Sequence, residues 1–239
     1  MTTPITVVDD ARAVALTGAA RIAEAVSSAV AARGVCFLAL AGGETPRGCY
    51  EVLARPPFSD EVPWAQVVFF WSDERCVPLT DPASNYRLAK ETLLDRVPVT
   101  PDSVVPAPVD AGTPEVVAER YARALDRVPG GPDGWPRFDL ILLGLGEDGH
   151  TASLFPGDPV LEERSARVRA VRASKPPPDR ITFTLPVLNA ARSIVFLVQG
   201  AGKREALARV RSGDRSAPAA LIRPTEGRVE VIADRSAAG

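Results

Sequence analysis

The chain of 239 residues holds a single histidine, His150, and that scarcity excludes more chemistry than any other feature. A mechanism with two imidazoles is ruled out. So is a metal site of the HExxH kind, and metal-assisted hydrolysis would have to complete its shell from carboxylates alone. Cysteine is nearly as sparse. Cys36, Cys49 and Cys76 are odd in number, widely spaced and without metal-finger spacing, which argues against both a disulfide framework and a zinc finger. Neither sign of charge is in excess, with 28 Lys and Arg against 30 Asp and Glu. The protein as a whole therefore has no attraction for nucleic acid or an anionic membrane, and any anion binding must be local. Residues 1–10 lack the basic region and apolar core of a signal peptide, and no uninterrupted apolar run approaches the ~20 residues needed to cross a bilayer. No Walker loop, dinucleotide fingerprint or GxSxG elbow occurs. A cytoplasmic protein with no metal, no nucleic-acid partner and no membrane partner is the expectation.

What is present is an alternation of short apolar runs with helical segments. Residues 5–8 read as a first strand, followed by an alanine-rich helix capped by Asp9 or Asp10 and ending near Gly34. The continuously apolar runs 35–41, 64–71 and 138–143 read as buried strands, and 168–171, 180–185, 193–198 and 228–232 as further strands. Helices are expected over 84–94, 114–128 and 202–210, and a helix opening with Thr45 as N-cap and Pro46 as first residue. This order predicts one α/β domain over 1–239, a Rossmann-like layered fold with a mostly parallel central sheet flanked by helices. No repeat or composition break divides it. In such sheets ligands collect outside the carboxyl ends of the strands, where the loops 42–45, 72–75 and 144–151 would converge.

Those loops carry the candidate chemistry. The segment GLGEDGHT at 144–151 leaves a strand through glycines and places Asp148 two residues before His150. A carboxylate is thereby offered to the one side chain that titrates near neutral pH, which points to proton transfer on a small phosphorylated molecule. Gly42, Gly43 and Thr45 join a strand to a helix start, where backbone N–H groups can approach an anion; an ordinary tight turn is the competing reading. At the end of the 64–71 strand, Arg75 could stabilise an oxyanion and Asp73 could orient a hydroxyl or water, against the alternative of a surface ion-pair cluster. Lys203 follows a further strand–glycine turn and could hold a phosphate. For Arg180 a surface strand position is the simpler reading, and contact with the same anion the alternative.

Several segments taken together resemble the 6-phosphogluconolactonases, within the wider family that includes glucosamine-6-phosphate deaminases. They are LAGGETP at 40–46, WSDERCVP at 71–78, SNYR at 84–87, GLGEDGHTASLFPG at 144–157, RITFTLPVLN at 180–189 and the Gly202-Lys203 turn. The pattern departs at Glu44, where many relatives have serine. The resemblance implies hydrolysis of 6-phospho-D-glucono-1,5-lactone without metal or organic cofactor. It implies His150 as general base, Asp148 holding its tautomer, Arg75 on the oxyanion, and the phosphate against the 42–45 loop with Lys203 closing it. The deaminases resemble DEY followed by DGHIAFNEP, whereas Arg75 stands here at the tyrosine and Phe155 at the glutamate. A non-catalytic sugar-phosphate sensor is the third reading.

Overall fold

The computed structural model describes residues 3–239. Six strands form an all-parallel main sheet: β1 (Ile5–Val8), β2 (Cys36–Leu40), β3 (Val67–Trp71), β5 (Leu140–Gly144), β8 (Ser193–Val198) and β9 (Arg228–Asp234), in the order β1-β9-β8-β5-β2-β3. Continuous apolar character has its reason here, because both faces of the sheet are covered. Along β5, Leu140 and Leu142 face one hydrophobic cluster while Ile141 and Leu143 face the other. The first cluster includes the buried face of helix Ala11–Arg33, with Val14, Ile22 and Val26 fully buried. Asp10 caps this helix by accepting from the Ala13 N–H at 2.8 Å, and Gly34 ends it in the left-handed conformation. By length and composition the helix is apolar enough to cross a membrane, although Arg21 and Glu24 interrupt its apolar run; here its alanine-rich face packs on the sheet.

Other elements depart from expectation. Three strands, β4 (Asp73–Arg75), β6 (Val168–Arg172) and β7 (Asp179–Phe183), leave the main sheet and pair antiparallel in the order β4-β7-β6. The 72–75 segment is therefore mostly strand, not loop. Strand β7 ends at Phe183, two residues short of the expected 180–185 run, and Leu185–Asn189 forms a short helix, since Pro186 removes a ladder donor and suits a first helical turn. Trp64–Gln66 is a 3-10 turn before β3, and Ala201–Lys203 another before helix Arg204–Ser212. Helix Glu44–Leu53 starts two residues early: Gly43, at φ 103° and ψ 171°, takes the N-cap position that Thr45 was expected to hold. Only glycine adopts that conformation without strain.

From β2 the chain runs one way to β3 and the other way to β5. The crevice between the β2 and β5 carboxyl ends is thus the switch point of the sheet, where α/β folds bind ligands.

Candidate active site

A cleft of about 320 Å³ opens at that switch point. It brings together Gly42, Gly43 and Thr45 from the first loop, Asp73 and Arg75 from β4, and His150 from the third loop. Arg180 and Lys203 complete its wall. Asp148 lies just behind, so every residue singled out from the sequence meets in one place.

Two buried tyrosines fix the strand ends that feed the cleft. The Tyr50 hydroxyl accepts from the Ala41 N–H at 3.0 Å and donates to its carbonyl at 2.7 Å. Tyr121 does the same for Trp71, at 2.8 Å from the N–H and 3.2 Å from the carbonyl. Neither tyrosine was legible as a site residue: Tyr50 reads as a core position of the helix that follows the loop, and Tyr121 acts from 50 residues away.

The histidine loop is held by its own backbone. Gly146 N–H donates to the His150 carbonyl at 2.8 Å, and the Thr151 hydroxyl donates to the Gly144 carbonyl at 2.9 Å. Within this turn His150 Nδ1 stands 2.6 Å from Asp148 Oδ1, which also accepts the His150 backbone N–H at 3.1 Å. Partial burial pushes the Asp148 carboxyl up, but the His150 backbone N–H and imidazole outweigh it and hold it below the usual carboxylate range. With Asp148 ionised, Nδ1 carries the proton and Nε2 is left as the basic nitrogen. Phe155 packs against the imidazole, with ring centroids 4.9 Å apart, and the Arg180 guanidinium lies over its ring at 5.7 Å.

The 73–75 segment is not a surface ion-pair cluster. Asp73 and Glu74 are buried, and the Arg75 side chain bonds the Ala83 carbonyl at 2.6 Å instead of either carboxylate. Glu74 serves the fold. Its oxygens accept the N–H groups of Arg75, Asn85 and Tyr86 and the Ser84 hydroxyl, tying helix Asn85–Thr92 to β4. Burial pushes its carboxyl up, against these donors. Asp73 faces the cleft with Oδ2 taking the Ser153 hydroxyl at 2.6 Å, while Asn85 Nδ2 donates to the Asp73 carbonyl at 2.9 Å. Asn85 and Ser153, missed in the sequence, are thus what hold Asp73 in place.

Arg180 is not a surface residue either; only 8% of it is exposed. It stands directly across the β4–β7 ladder from Arg75. Burial, and then the facing Arg75 guanidinium, pull the Arg180 guanidinium below its ordinary range, against Asp73. Like charges opposite each other on a ladder are destabilising unless an anion comes between them. A pair of guanidiniums with Lys203 nearby is therefore built to receive negative charge, next to a histidine–carboxylate pair suited to moving protons. Among the described residues no group of three or more His, Cys, Asp or Glu side chains is placed to hold a metal.

Comparison with known proteins gives the same direction. A family model described as glucosamine-6-phosphate isomerases/6-phosphogluconolactonase matches residues 9–231. A 6-phosphogluconolactonase of Synechocystis is 40% identical over 218 residues, spanning 89% of this chain and 87% of that protein. The rat 6-phosphogluconolactonase is 47% identical over 169 residues, or 70% of this chain and 65% of the relative. The solved structure of 6-phosphogluconolactonase from Trypanosoma brucei superimposes with a TM-score of 0.88 at 31% identity, covering 100% of this chain and 98% of that one. The chain belongs to the glucosamine-6-phosphate isomerase/6-phosphogluconolactonase family.

Proposed function

We propose that this protein hydrolyses 6-phospho-D-glucono-1,5-lactone to 6-phosphogluconate, the lactone-opening step of the oxidative pentose phosphate pathway. The observation that carries the reading is the His150–Asp148 pair, 2.6 Å apart, on a cleft shared with Arg75, Arg180 and Lys203. His150 Nε2 takes a proton from water as the oxygen adds to the lactone carbonyl. Asp148 stabilises the imidazolium, and Arg75 the oxyanion. The ring C–O bond then breaks and its oxygen takes the proton back from His150, leaving the open-chain acid, which ionises. Asp73 holds a substrate hydroxyl or the attacking water. The phosphate lies against Gly42, Gly43 and Thr45 with Lys203 closing it, and Arg180 reaches the same anion. Glu44 is exposed at the mouth and held toward Arg47 at 3.2 Å, so it leaves the backbone donors of the loop available. A lactone is already a reactive ester, so positioning and charge stabilisation suffice without a covalent intermediate or cofactor. A cytoplasmic location belongs to the same reading, supported by three unpaired cysteines.

The deaminase reading is disfavoured by Phe155. Where the deaminase pattern has a glutamate five residues after the histidine, an aromatic ring packs on the imidazole here. The sensor reading is disfavoured because the proton-transfer pair and the cationic wall are intact. The test offers the protein fresh lactone and, separately, glucosamine 6-phosphate. Acid release from the first well above spontaneous opening, with no ammonia from the second, is expected. Ammonia release, or binding without turnover, would overturn the proposal in favour of the deaminase or the sensor.

A further inference from the structure

The amino edge of the main sheet, where β5, β8 and β9 begin, carries a separate hollow of about 220 Å³ beneath the last turns of helix Ala11–Arg33. Arg33, Arg192 and Arg228 line it together with Ser28 and Ser193, and Asp139 is its one carboxylate. Asp139 is already saturated. Its Oδ1 lies 2.7 Å from Arg33 Nη2 and 3.4 Å from Arg192 Nε, and its Oδ2 accepts the Phe37 N–H at 2.8 Å. Nearby carboxylates are engaged elsewhere: Glu226 with Arg137, and Glu230 with Arg21 and the Thr6 hydroxyl. Arg228 reaches only the Ser193 hydroxyl, at 3.3 Å. Three guanidiniums thus face one carboxylate, in a protein whose overall charge is −2.

A purely structural role accounts for part of this. Arg33 sits in the last helical turn, where a cation is favoured, and its bond to Asp139 ties the helix to the start of β5. Arg192 adds only a longer contact to the same carboxylate, and Arg228 has no carboxylate partner. Burial, then the positive charges of Arg137 and Arg33, pull the Arg192 guanidinium below its ordinary range, and Asp139 does not make up the difference. That is the direction expected of a cation short of a counter-charge.

We propose that this hollow is a second anion site, for a small phosphate-bearing ligand. Guanidinium forks match the geometry of phosphate oxygens, and the two serine hydroxyls add neutral donors. Strands of five or six residues, rising ~3.3 Å per residue, put it roughly 15–20 Å from the catalytic cleft. Its occupant therefore does not compete with substrate.

Inorganic pyrophosphate is the probe, titrated calorimetrically at fixed ionic strength into the parent, Arg192→Gln/Arg228→Gln, and Lys203→Ala. The expected result is binding in the parent that persists in Lys203→Ala and weakens at least tenfold in the glutamine pair, whose kcat on the lactone is unchanged. Arg192→Lys/Arg228→Lys, which keeps the charge without the forks, separates site chemistry from folding and should bind with intermediate affinity. Absence of binding in the parent would overturn the proposal. So would binding lost in Lys203→Ala yet unchanged in the glutamine pair, which would place the anion in the cleft.

Discussion

Alanine at position 146 would put a methyl carbon inside the pair on which proton transfer depends. A Cβ built on Gly146 lies 2.1 Å from His150 Nδ1, 2.3 Å from its Cε1 and 2.6 Å from Asp148 Oδ1, against 3.4–4 Å for ordinary contact. The backbone at 146 is not in the left-handed region, so alanine is tolerated there by the main chain and the whole conflict falls on the side chains. The imidazole must retreat by more than an ångström, which breaks the 2.6 Å contact with Asp148. A hydrogen bond to a charged group is worth about 1.5–3 kcal/mol. At ~1.36 kcal/mol per factor of ten, kcat should fall roughly 10- to 150-fold. Stability should change by less than about 1 kcal/mol, because His150 and Asp148 are partly exposed and core packing is untouched. The assay is the initial rate of lactone opening with the spontaneous rate subtracted, paired with a thermal melt. Gly144→Ala is the control, since a Cβ there meets nothing within 4 Å. A folded Gly146→Ala enzyme with parental kcat would refute the reasoning.

Three further outcomes are expected. Gly42→Ala drives a Cβ to 1.8 Å from Asn85 Oδ1, so the amide that bonds the Asp73 carbonyl must move; KM should rise and stability fall by about 1–3 kcal/mol, read from kinetics and denaturant unfolding. Tyr121→Phe leaves the buried Trp71 N–H without its partner and should cost about 1–3 kcal/mol in the same unfolding experiment, with a parental midpoint counting against the clamp. Glu163 is held below the usual carboxylate range by the backbone N–H groups of Ala166 and Ser165, then by the Ser165 hydroxyl and Arg169. A depressed folded value contributes stability above the ordinary glutamate range near pH ~4.3 and loses it as pH falls toward the folded value. Glu163→Gln should therefore be less stable than the parent at pH 7, by a gap that narrows below about pH 4; a gap independent of pH would contradict the assignment.

Much of the fold was legible because strands covered on both faces are written as unbroken apolar runs. The 193–198 run coincides with β8, and Asp10 and Gly34 bound the long helix as a cap residue and a left-handed glycine should. Convergence of the 42–45 and 144–151 loops followed from the parallel sheet alone. What escaped was built by long-range pairing. β4 is only Asp-Glu-Arg, with no apolar alternation to mark it, and it becomes a strand because Asp73, Glu74 and Arg75 find Thr182, Ile181 and Arg180 more than a hundred residues away. The burial of Arg180 is a consequence of that pairing, so its simpler reading as a surface residue failed. Ser153 and Asn85 lie inside matching segments, but no local pattern gives either a role; their roles exist only once Asp73 is placed between them.

The central claim is that His150 moves the protons of lactone opening, and one comparison tests it most directly. Hydrolysis of freshly generated 6-phosphogluconolactone is followed for the parent and His150→Ala across pH, with spontaneous opening subtracted at each point. Near-background rates for a folded variant against fast turnover by the parent is the predicted result. Equal turnover by both would contradict it and move the base to Asp73 or Asp148.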